Sequence, residues 1–164
     1  MIAARACIIT LDGKLLLIQR STKSGFGGER WELPGGKLDS VIMIEKSDPG
    51  LQIAFDQKMV LQELLREIRE ETKLQLQNGF FYAQSIHRIP EKDSPYFDFL
   101  HIQLYYVFTI GLPHSQVNIT LSSEHQARIW IDHHNDLEGK EFMPKHEDII
   151  RAVLKNTTDV FSNN

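Results

Sequence analysis

The sequence predicts an α/β protein in which a mixed β-sheet lies between helices. Short apolar segments typical of strands alternate irregularly with two segments of helical periodicity, and neither an internal repeat nor a low-complexity linker separates them. The chain has 164 residues, of which 41% are hydrophobic and 24% charged. This is the size and composition of one domain with its own core. We therefore predict a single domain over residues 1–156 and a polar tail over residues 157–164.

The first two strands are predicted from an apolar run, a turn and a second apolar run. Residues 3–10 form the first run, Asp12-Gly13 is a dipeptide typical of hairpin turns, and residues 14–19 return. After Trp31-Glu32-Leu33, which we predict to be extended, Pro34-Gly35-Gly36 ends the extended segment.

The longest helical pattern covers about residues 56–72. Its apolar residues Leu61, Leu64, Leu65 and Ile68 follow the i, i+3, i+4, i+7 spacing of one helix face. Further along the chain, the patterns predict three strands and a final helix, over residues 80–87, 100–109, 127–131 and 144–155.

Charge and cysteine content exclude several classes of protein. The net charge is −4 without a dense basic block, which argues against binding to a nucleic acid polymer. Cys7 is the only cysteine, so the chain forms no internal disulfide. No apolar stretch approaches the ~18 residues that a membrane span requires. We expect a cytoplasmic protein that does not enter membranes.

Acidic residues on the predicted helix form the most informative pattern. Glu67, Glu70 and Glu71 stand at i, i+3 and i+4, and Glu63 lies one turn earlier, so their carboxylates share one face. Such like charges repel, and a cation relieves the repulsion. Oxygen-only ligands suit Mg²⁺ or Mn²⁺. The alternative is a solvated helix face in which Arg66 and Arg69 are i, i+4 partners.

Two other segments favour the metal site over a solvated face. The glycines at 35 and 36 let the backbone approach a ligand closely, and the carbonyl of Gly36 can itself bind a metal. Glu124 stands on a predicted loop six residues before Trp130, in a position that adds one more carboxylate. The alternatives are an ordinary turn and an ordinary surface glutamate.

These motifs resemble those of the Nudix hydrolases, whose box reads G-x5-E-x7-R-E-U-x-E-E-x-G-U with U a bulky aliphatic residue. Gly36 stands for the first glycine, Arg66-Glu67-Ile68 for R-E-U, Glu70-Glu71 for E-E and Leu74 for the last U. The preceding WELPGGK segment is also characteristic. The resemblance covers most of the chain and implies a Nudix-type α/β/α sandwich that cleaves a diphosphate linkage.

The resemblance also implies a set of metal ligands and catalytic groups. Glu67 and Glu71 are predicted to bind Mg²⁺ or Mn²⁺ directly, and Gly36 through its carbonyl. Glu70 is a ligand through water or the general base. Glu124 is a further ligand or the general base, and these two alternatives stay open for it.

Three basic residues complete the predicted site. Arg66 belongs to the catalytic set, while Arg20 and Lys37 are candidate contacts for the substrate phosphates. For Arg20, a surface charge at the end of the strand is the alternative.

The chain departs from the family box at three places. Between Gly36 and Arg66 it has 29 residues where the box has 13, so an insertion of 16 residues lies at about 38–55. We expect part of it to lengthen the catalytic helix and the rest to form a flap or dimer contact. No glutamate occupies the first box Glu position, for which Asp56 or Glu63 is a substitute. Lys73 replaces the last box glycine.

The expected function is hydrolysis of a (deoxy)nucleoside triphosphate, as in the MutT-like branch of the family. The alternatives are an ADP-ribose or ADP-sugar hydrolase and a catalytically inactive nucleotide-binding module. The expected partner is a small nucleotide, and the protein itself is expected to be a monomer or homodimer.

Overall fold

The computed structural model describes residues 1–23, 27–38, 42–47, 50–90 and 98–161. The strands are β1 (Ile2–Thr10), β2 (Leu15–Arg20), β3 (Trp31–Glu32), β4 (Ile42–Ser47), β5 (Gly50–Phe55), β6 (Phe80–Pro90), β7 (Asp98–Ile110) and β8 (His125–Ile131). The helices are α1 (Gln57–Thr72) and α2 (His146–Phe161), with short 3₁₀ turns at His114–Gln116 and His134–Leu137.

The main sheet is mixed, as the sequence predicted. In the described part of the chain its strands run in the order β3-β2-β1-β7-β6, and β8 also pairs with β2. β1 is parallel to β7, from the pair Ile2 and Ile102 to the pair Thr10 and Ile110. The remaining pairs in this sheet are antiparallel. The parallel pair places β1 at the centre, where most of its residues are buried.

The two helices cover opposite faces of this sheet. Ala4, Ala6 and Ile8 of β1 share a buried cluster with Leu64 of α1. Cys7 and Ile9, which alternate with them, belong to a second cluster that includes Ile150, Val153 and Leu154 of α2. Because neighbouring strand residues point to opposite faces, this division confirms the predicted α/β/α sandwich.

Helix α1 begins and ends with defined caps. Its N-cap is Asp56, whose side chain accepts hydrogen bonds from the backbone N–H groups of Lys58 and Met59. Its C-cap is Lys73, in the left-handed conformation with φ 62°. Leu64 and Ile68 of the predicted apolar stripe are fully buried together with Val60, whereas Leu61 and Leu65 are partly buried.

The inserted segment forms a hairpin. β4 and β5 pair antiparallel in a separate two-stranded sheet, from the pair Ile42 and Phe55 to the pair Ser47 and Gly50. The expectation that the insertion lengthens α1 is therefore wrong over these residues. Its β-branched residues and the turn-forming sequence between the strands favour a hairpin over a helix. The rest of the insertion, residues 39–41 and 48–49, lies outside the described residues.

Helix α2 runs to Phe161, past the predicted end at residue 155. No glycine or proline follows Lys155 to stop it. Among the described residues, none of the helices has the length and apolar character to cross a membrane.

Candidate active site

A cavity of about 440 Å³ opens beside α1, where the segment after β3 passes the first residues of β1. The residues lining it that were predicted from the sequence are Arg20, Gly36, Lys37, Glu67, Glu71 and Glu124. It is also lined by Met1, Ala3, Arg5, Gly35, His101, Gln103, Met143 and Pro144. The structure thus gathers most of the predicted site residues at one place.

The Pro34-Gly35-Gly36 segment follows the edge of β1. The N–H of Ala4 donates to the carbonyl of Gly36 at 3.0 Å, and that of Ala6 to the carbonyl of Pro34 at 2.8 Å. Gly35 has φ 134°, and a Cβ there would lie 2.3 Å from the carbonyl oxygen of Ala4. Only glycine fits this position, which leaves the N–H of Gly35 facing α1.

Gly36 is required for a different reason, the close approach of Glu67. A Cβ on Gly36 would lie 2.5 Å from Glu67 Oε2, so the carboxylate rests directly against the glycine backbone. Glu67 Oε1 accepts a hydrogen bond from Arg66 Nη2 at 2.5 Å. The carboxylate of Glu67 is therefore held against the glycine segment at the cavity.

Glu71 is the most deeply placed carboxylate of α1. Its Oε2 accepts a hydrogen bond from the N–H of Gly35 at 2.7 Å. Burial raises the pKa of Glu71 to about 7, although the charges of His125 and Arg5 and the hydrogen bond from Gly35 oppose that rise. The groups around it therefore offset only part of the free-energy penalty of burying its negative charge.

Glu32 approaches the same His125 ring as Glu71 and is fully buried. Its two oxygens pair with Arg5 Nη1 at 3.1 Å and Arg20 Nη1 at 3.0 Å. The Nε2 of His125 lies 3.3 Å from Glu32 Oε1. Burial acts to raise the pKa of Glu32, but Arg5, the hydrogen bond from His125 and other positive neighbours outweigh it and hold the pKa at about 2.

Glu32, Arg5, Arg20 and His125 form a buried ion-pair cluster. Arg5 connects this cluster to the glycine segment. Its Nη1 donates to the carbonyl of Gly35 at 2.6 Å, on the opposite side of the same residue from the N–H that meets Glu71. The peptide groups flanking Gly35 are thus fixed from two directions.

The sequence patterns indicated no site role for Arg5, Glu32 or His125. A charge inside an apolar strand, as at Arg5, is the signal that points to a buried ion pair, but the sequence does not show its partners.

Glu70 and Arg66 lie on α1 but not on the cavity wall. Both oxygens of Glu70 accept hydrogen bonds from Arg66 Nη1, at 2.9 and 3.0 Å, and the Glu70 side chain is 58% exposed. Asp56 serves as the N-cap of α1. The predicted role of Glu70, as water-mediated ligand or base, stays a prediction.

Glu124 reaches the cavity from the segment before β8. Its carbonyl accepts a hydrogen bond from the N–H of Ser21 at 2.8 Å, and the nearby Ser122 N–H donates to the carbonyl of Glu71 at 2.9 Å. The backbone on either side is therefore tied to the ends of β2 and α1. The Glu124 side chain itself is exposed, as a group that meets a diffusing substrate must be.

The donor set fits a hard divalent cation. Glu67, Glu71, Glu124 and the carbonyl of Gly36 supply only oxygen, which is the preference of Mg²⁺ and Mn²⁺. The contact between Glu67 and Gly36 and the incompletely offset charge of Glu71 are both features that a bound cation would stabilise. In the described part of the chain, no three Asp, Glu, His or Cys side chains are already grouped at metal-binding distance.

Comparison with known proteins shows to which family the chain belongs. The NUDIX domain family model matches residues 1–153. A search of curated proteins gives no match.

Several solved structures share the fold. A MutT protein from Methanosarcina mazei Go1 is 23% identical with a TM-score of 0.60, over 97% of this chain and 93% of that one. The NUDIX domain of Shewanella oneidensis NrtR, complexed with ADP ribose, is 16% identical with a TM-score of 0.64, over 95% and 87%. The Escherichia coli dihydroneopterin triphosphate pyrophosphohydrolase is 15% identical with a TM-score of 0.63, over 94% and 95%.

The chain belongs to the Nudix hydrolase family. It is a hydrolase of the pyrophosphohydrolase kind, which acts on phosphoric anhydride bonds.

Proposed function

We propose that the protein hydrolyses a (deoxy)nucleoside triphosphate at a diphosphate linkage, with Mg²⁺ or Mn²⁺ as cofactor. The observation that carries this proposal is that Glu67, Glu71 and Glu124 line the same cavity as Arg20 and Lys37. The carboxylates suit a cation and the basic residues suit phosphate oxygens, so the cavity has both groups that a diphosphate needs.

Residues of the cavity would each have a distinct role in the reaction. Glu67, Glu71 and the carbonyl of Gly36 would hold the cation, while Lys37 and Arg20 orient the phosphates. Bound there, a divalent cation would neutralise phosphate charge and lower the pKa of the attacking water. Glu124, on an exposed segment beside the cavity, would accept the proton of that water.

Other residues that line the cavity suit the nucleoside. His101 and Gln103, both buried on β7, bring an imidazole and an amide to the same cavity as the carboxylates. Such groups offer the donors and acceptors that a nucleobase edge requires. Met143 and Pro144 add apolar surface on which a flat ring can pack.

ADP-ribose is the second candidate substrate. The NUDIX domain of Shewanella oneidensis NrtR, which shares this fold, was solved with ADP ribose bound. The two candidates differ in what leaves the enzyme, since a triphosphate can release pyrophosphate and ADP-ribose releases a sugar phosphate.

A substrate panel with product identification tests the proposal. The purified protein would be given each NTP and dNTP and ADP-ribose, with Mg²⁺ or Mn²⁺, and the products separated by ion-exchange chromatography. We expect a triphosphate to be cleaved fastest, no turnover in chelator, and recovery with either metal. Preference for ADP-ribose would replace the first candidate with the second, and a nucleotide-induced rise in Tm without any product would contradict both.

A further inference from the structure

His125 is buried beside Glu32, Glu71 and the loop that precedes β8. The proposed mechanism assigns it no role. Its side chain is fully buried, and it is the first residue of β8, directly after Glu124. Its Nε2 lies 3.3 Å from Glu32 Oε1 and 3.7 Å from Glu71 Oε1. The ring thus lies between the buried ion-pair cluster and the innermost carboxylate of α1.

The other ring nitrogen faces the loop that carries Glu124. The Nδ1 of His125 lies 3.3 Å from Ser122 Oγ, and its backbone N–H donates to the carbonyl of Ser122 at 3.2 Å. Ser122 in turn donates its N–H to the carbonyl of Glu71 at 2.9 Å. Hydrogen bonds of Ser122 therefore connect the loop before β8 both to His125 and to the C-terminal end of α1.

The distances at Nε2 decide how the ring is oriented. A carboxylate is only an acceptor, so Nε2 must carry the proton that it donates to Glu32. Nδ1 faces the hydroxyl of Ser122, which can either donate to it or accept from it. Glu32 and Glu71 repel each other, and this repulsion contributes to raising the pKa of Glu71. The N–H of Nε2, 3.3 Å from an oxygen of Glu32 and 3.7 Å from one of Glu71, attracts both carboxylates and offsets part of this repulsion.

We propose that His125 is a positioning residue, whose Nε2 N–H holds the Glu71 carboxyl in place at the cavity while it donates to Glu32. This inference rests on the proposed function, in which Glu71 binds the cation and Glu124 accepts the proton. Misplacement of a reacting group by about 1 Å can slow a reaction by about 100-fold, so a positioning role of this kind has a measurable effect.

Two conservative substitutions distinguish the contribution of Nε2 from that of Nδ1. In His125→Gln the side-chain amide reaches the place of Nε2, and the donor to Glu32 is kept. In His125→Asn the amide is shorter and reaches only the place of Nδ1, so the donor to Glu32 is lost. Ser122→Ala is the matched control on the Nδ1 side.

The first measurements are kcat on the best substrate and the Kd of Mn²⁺ for the metal-free protein without substrate. For His125→Asn we expect kcat to fall between about 10- and 100-fold and the Mn²⁺ Kd to rise severalfold. His125→Gln and Ser122→Ala should stay within a few-fold of wild type in both. Equal losses in the Asn and Gln variants, or no loss in either, would overturn the proposal.

The wild-type protein supplies a second test that needs no variant to fold. In ¹⁵N-labelled protein, the NMR signal of the His125 ring should show the proton on Nε2 and should shift when Mg²⁺ is added. A proton on Nδ1 alone, or a ring signal that ignores Mg²⁺, would contradict the inference. Failure of the proposed function is recognised separately, because wild-type protein would then neither bind Mn²⁺ nor cleave any nucleotide.

Discussion

The backbone N–H of Gly35 donates a hydrogen bond to Glu71 Oε2 at 2.7 Å, joining two residues that are 36 positions apart in the chain. The same glycine is held on its other side by Arg5, which reaches its carbonyl at 2.6 Å. Through these contacts the strand, the glycine segment and the helix share one hydrogen-bond network. The site is thus assembled by backbone positions as much as by its carboxylates.

Glu71→Gln should abolish turnover while the fold stays intact. The amide keeps the volume and can still accept from Gly35, but it removes the charge at the proposed cation site. We expect kcat to fall by at least about 100-fold, measured with saturating Mg²⁺. Glu70→Gln, the same change one position earlier but off the cavity wall, should have a much smaller effect. Equal losses in both variants would show that Glu70 also acts at the metal.

The stability of metal-free Glu71→Gln provides the control for folding. Because the pKa of Glu71 is raised to about 7 by burial, its neutral form favours the folded state, and that contribution is lost as the pH rises through 7. At pH 8 the variant should therefore unfold at the same urea concentration as wild type or at a higher one. A lower midpoint would indicate that the ionised carboxyl supports the fold.

Glu124→Gln should slow catalysis less than Glu71→Gln does. If Glu124 is the general base, hydroxide takes over its role at higher pH, so the residual kcat of the variant should rise with pH more steeply than that of wild type. A pH–rate profile from pH 6 to about 10 measures this. A wild-type rate would leave Glu124 as a surface residue.

Glu32→Gln should lower the free energy of unfolding in a pH-dependent way. The pKa of Glu32 is about 2 in the folded protein, below its ordinary 4.5. Its contribution is therefore complete above pH 4.5 and lost as the pH falls through 2. From this shift we expect a loss of about 3 kcal/mol at pH 7, shrinking toward pH 3, in urea titrations.

Glu147→Gln is the control for this loss. Glu147 pairs with Arg151 on the surface of α2, where removing an ion pair changes stability by less than about 1 kcal/mol. Equal losses of unfolding free energy in Glu32→Gln and Glu147→Gln would contradict the expectation that burial makes the ion pairs of Glu32 more stabilising than a surface pair.

Lys73→Gly should stabilise the protein. Lys73 closes α1 with φ 62° and donates its N–H to the carbonyl of Arg69 at 3.0 Å. A side chain at positive φ is strained, whereas glycine adopts this conformation freely. We expect a gain of about 0.5–1 kcal/mol, read from Tm, with Lys73→Ala giving none. A lower Tm for the glycine variant would mean that the lysine side chain compensates for the strain.

Removal of the β4–β5 hairpin should change substrate preference or oligomeric state more than metal binding. Ile42 and Phe55 are paired, so the ends of the hairpin lie close together and a short Gly-Ser linker can replace residues 43–54. Phe55 is kept because its ring packs against that of Phe81, with the two ring centroids 5.8 Å apart. The measurements are the substrate ranking, the elution volume and the Kd of Mn²⁺.

Unchanged ranking, KM and elution volume would show the hairpin to be a passive surface element. A large loss of Mn²⁺ affinity would instead place it in the metal site.

The sequence by itself determined the fold class and the main elements, because these depend on local periodicity. The stripe that includes Leu64 and Ile68 predicts α1, and the two apolar runs on either side of Asp12-Gly13 predict the first two strands. The i, i+3, i+4 spacing of Glu67, Glu70 and Glu71 predicts a shared face, and WELPGGK with Arg66-Glu67-Ile68 indicated the family, which the domain match confirms.

Only the tertiary structure decided which of these residues meet. Helical spacing treats Glu70 and Glu71 alike, yet one is paired with Arg66 in solvent and the other is buried against Gly35. The roles of Glu32 and His125 depend on contacts 93 residues apart, which no local pattern carries. Burial, and with it the pKa of each carboxyl, is set by such long-range packing, so it could not be predicted from spacing alone.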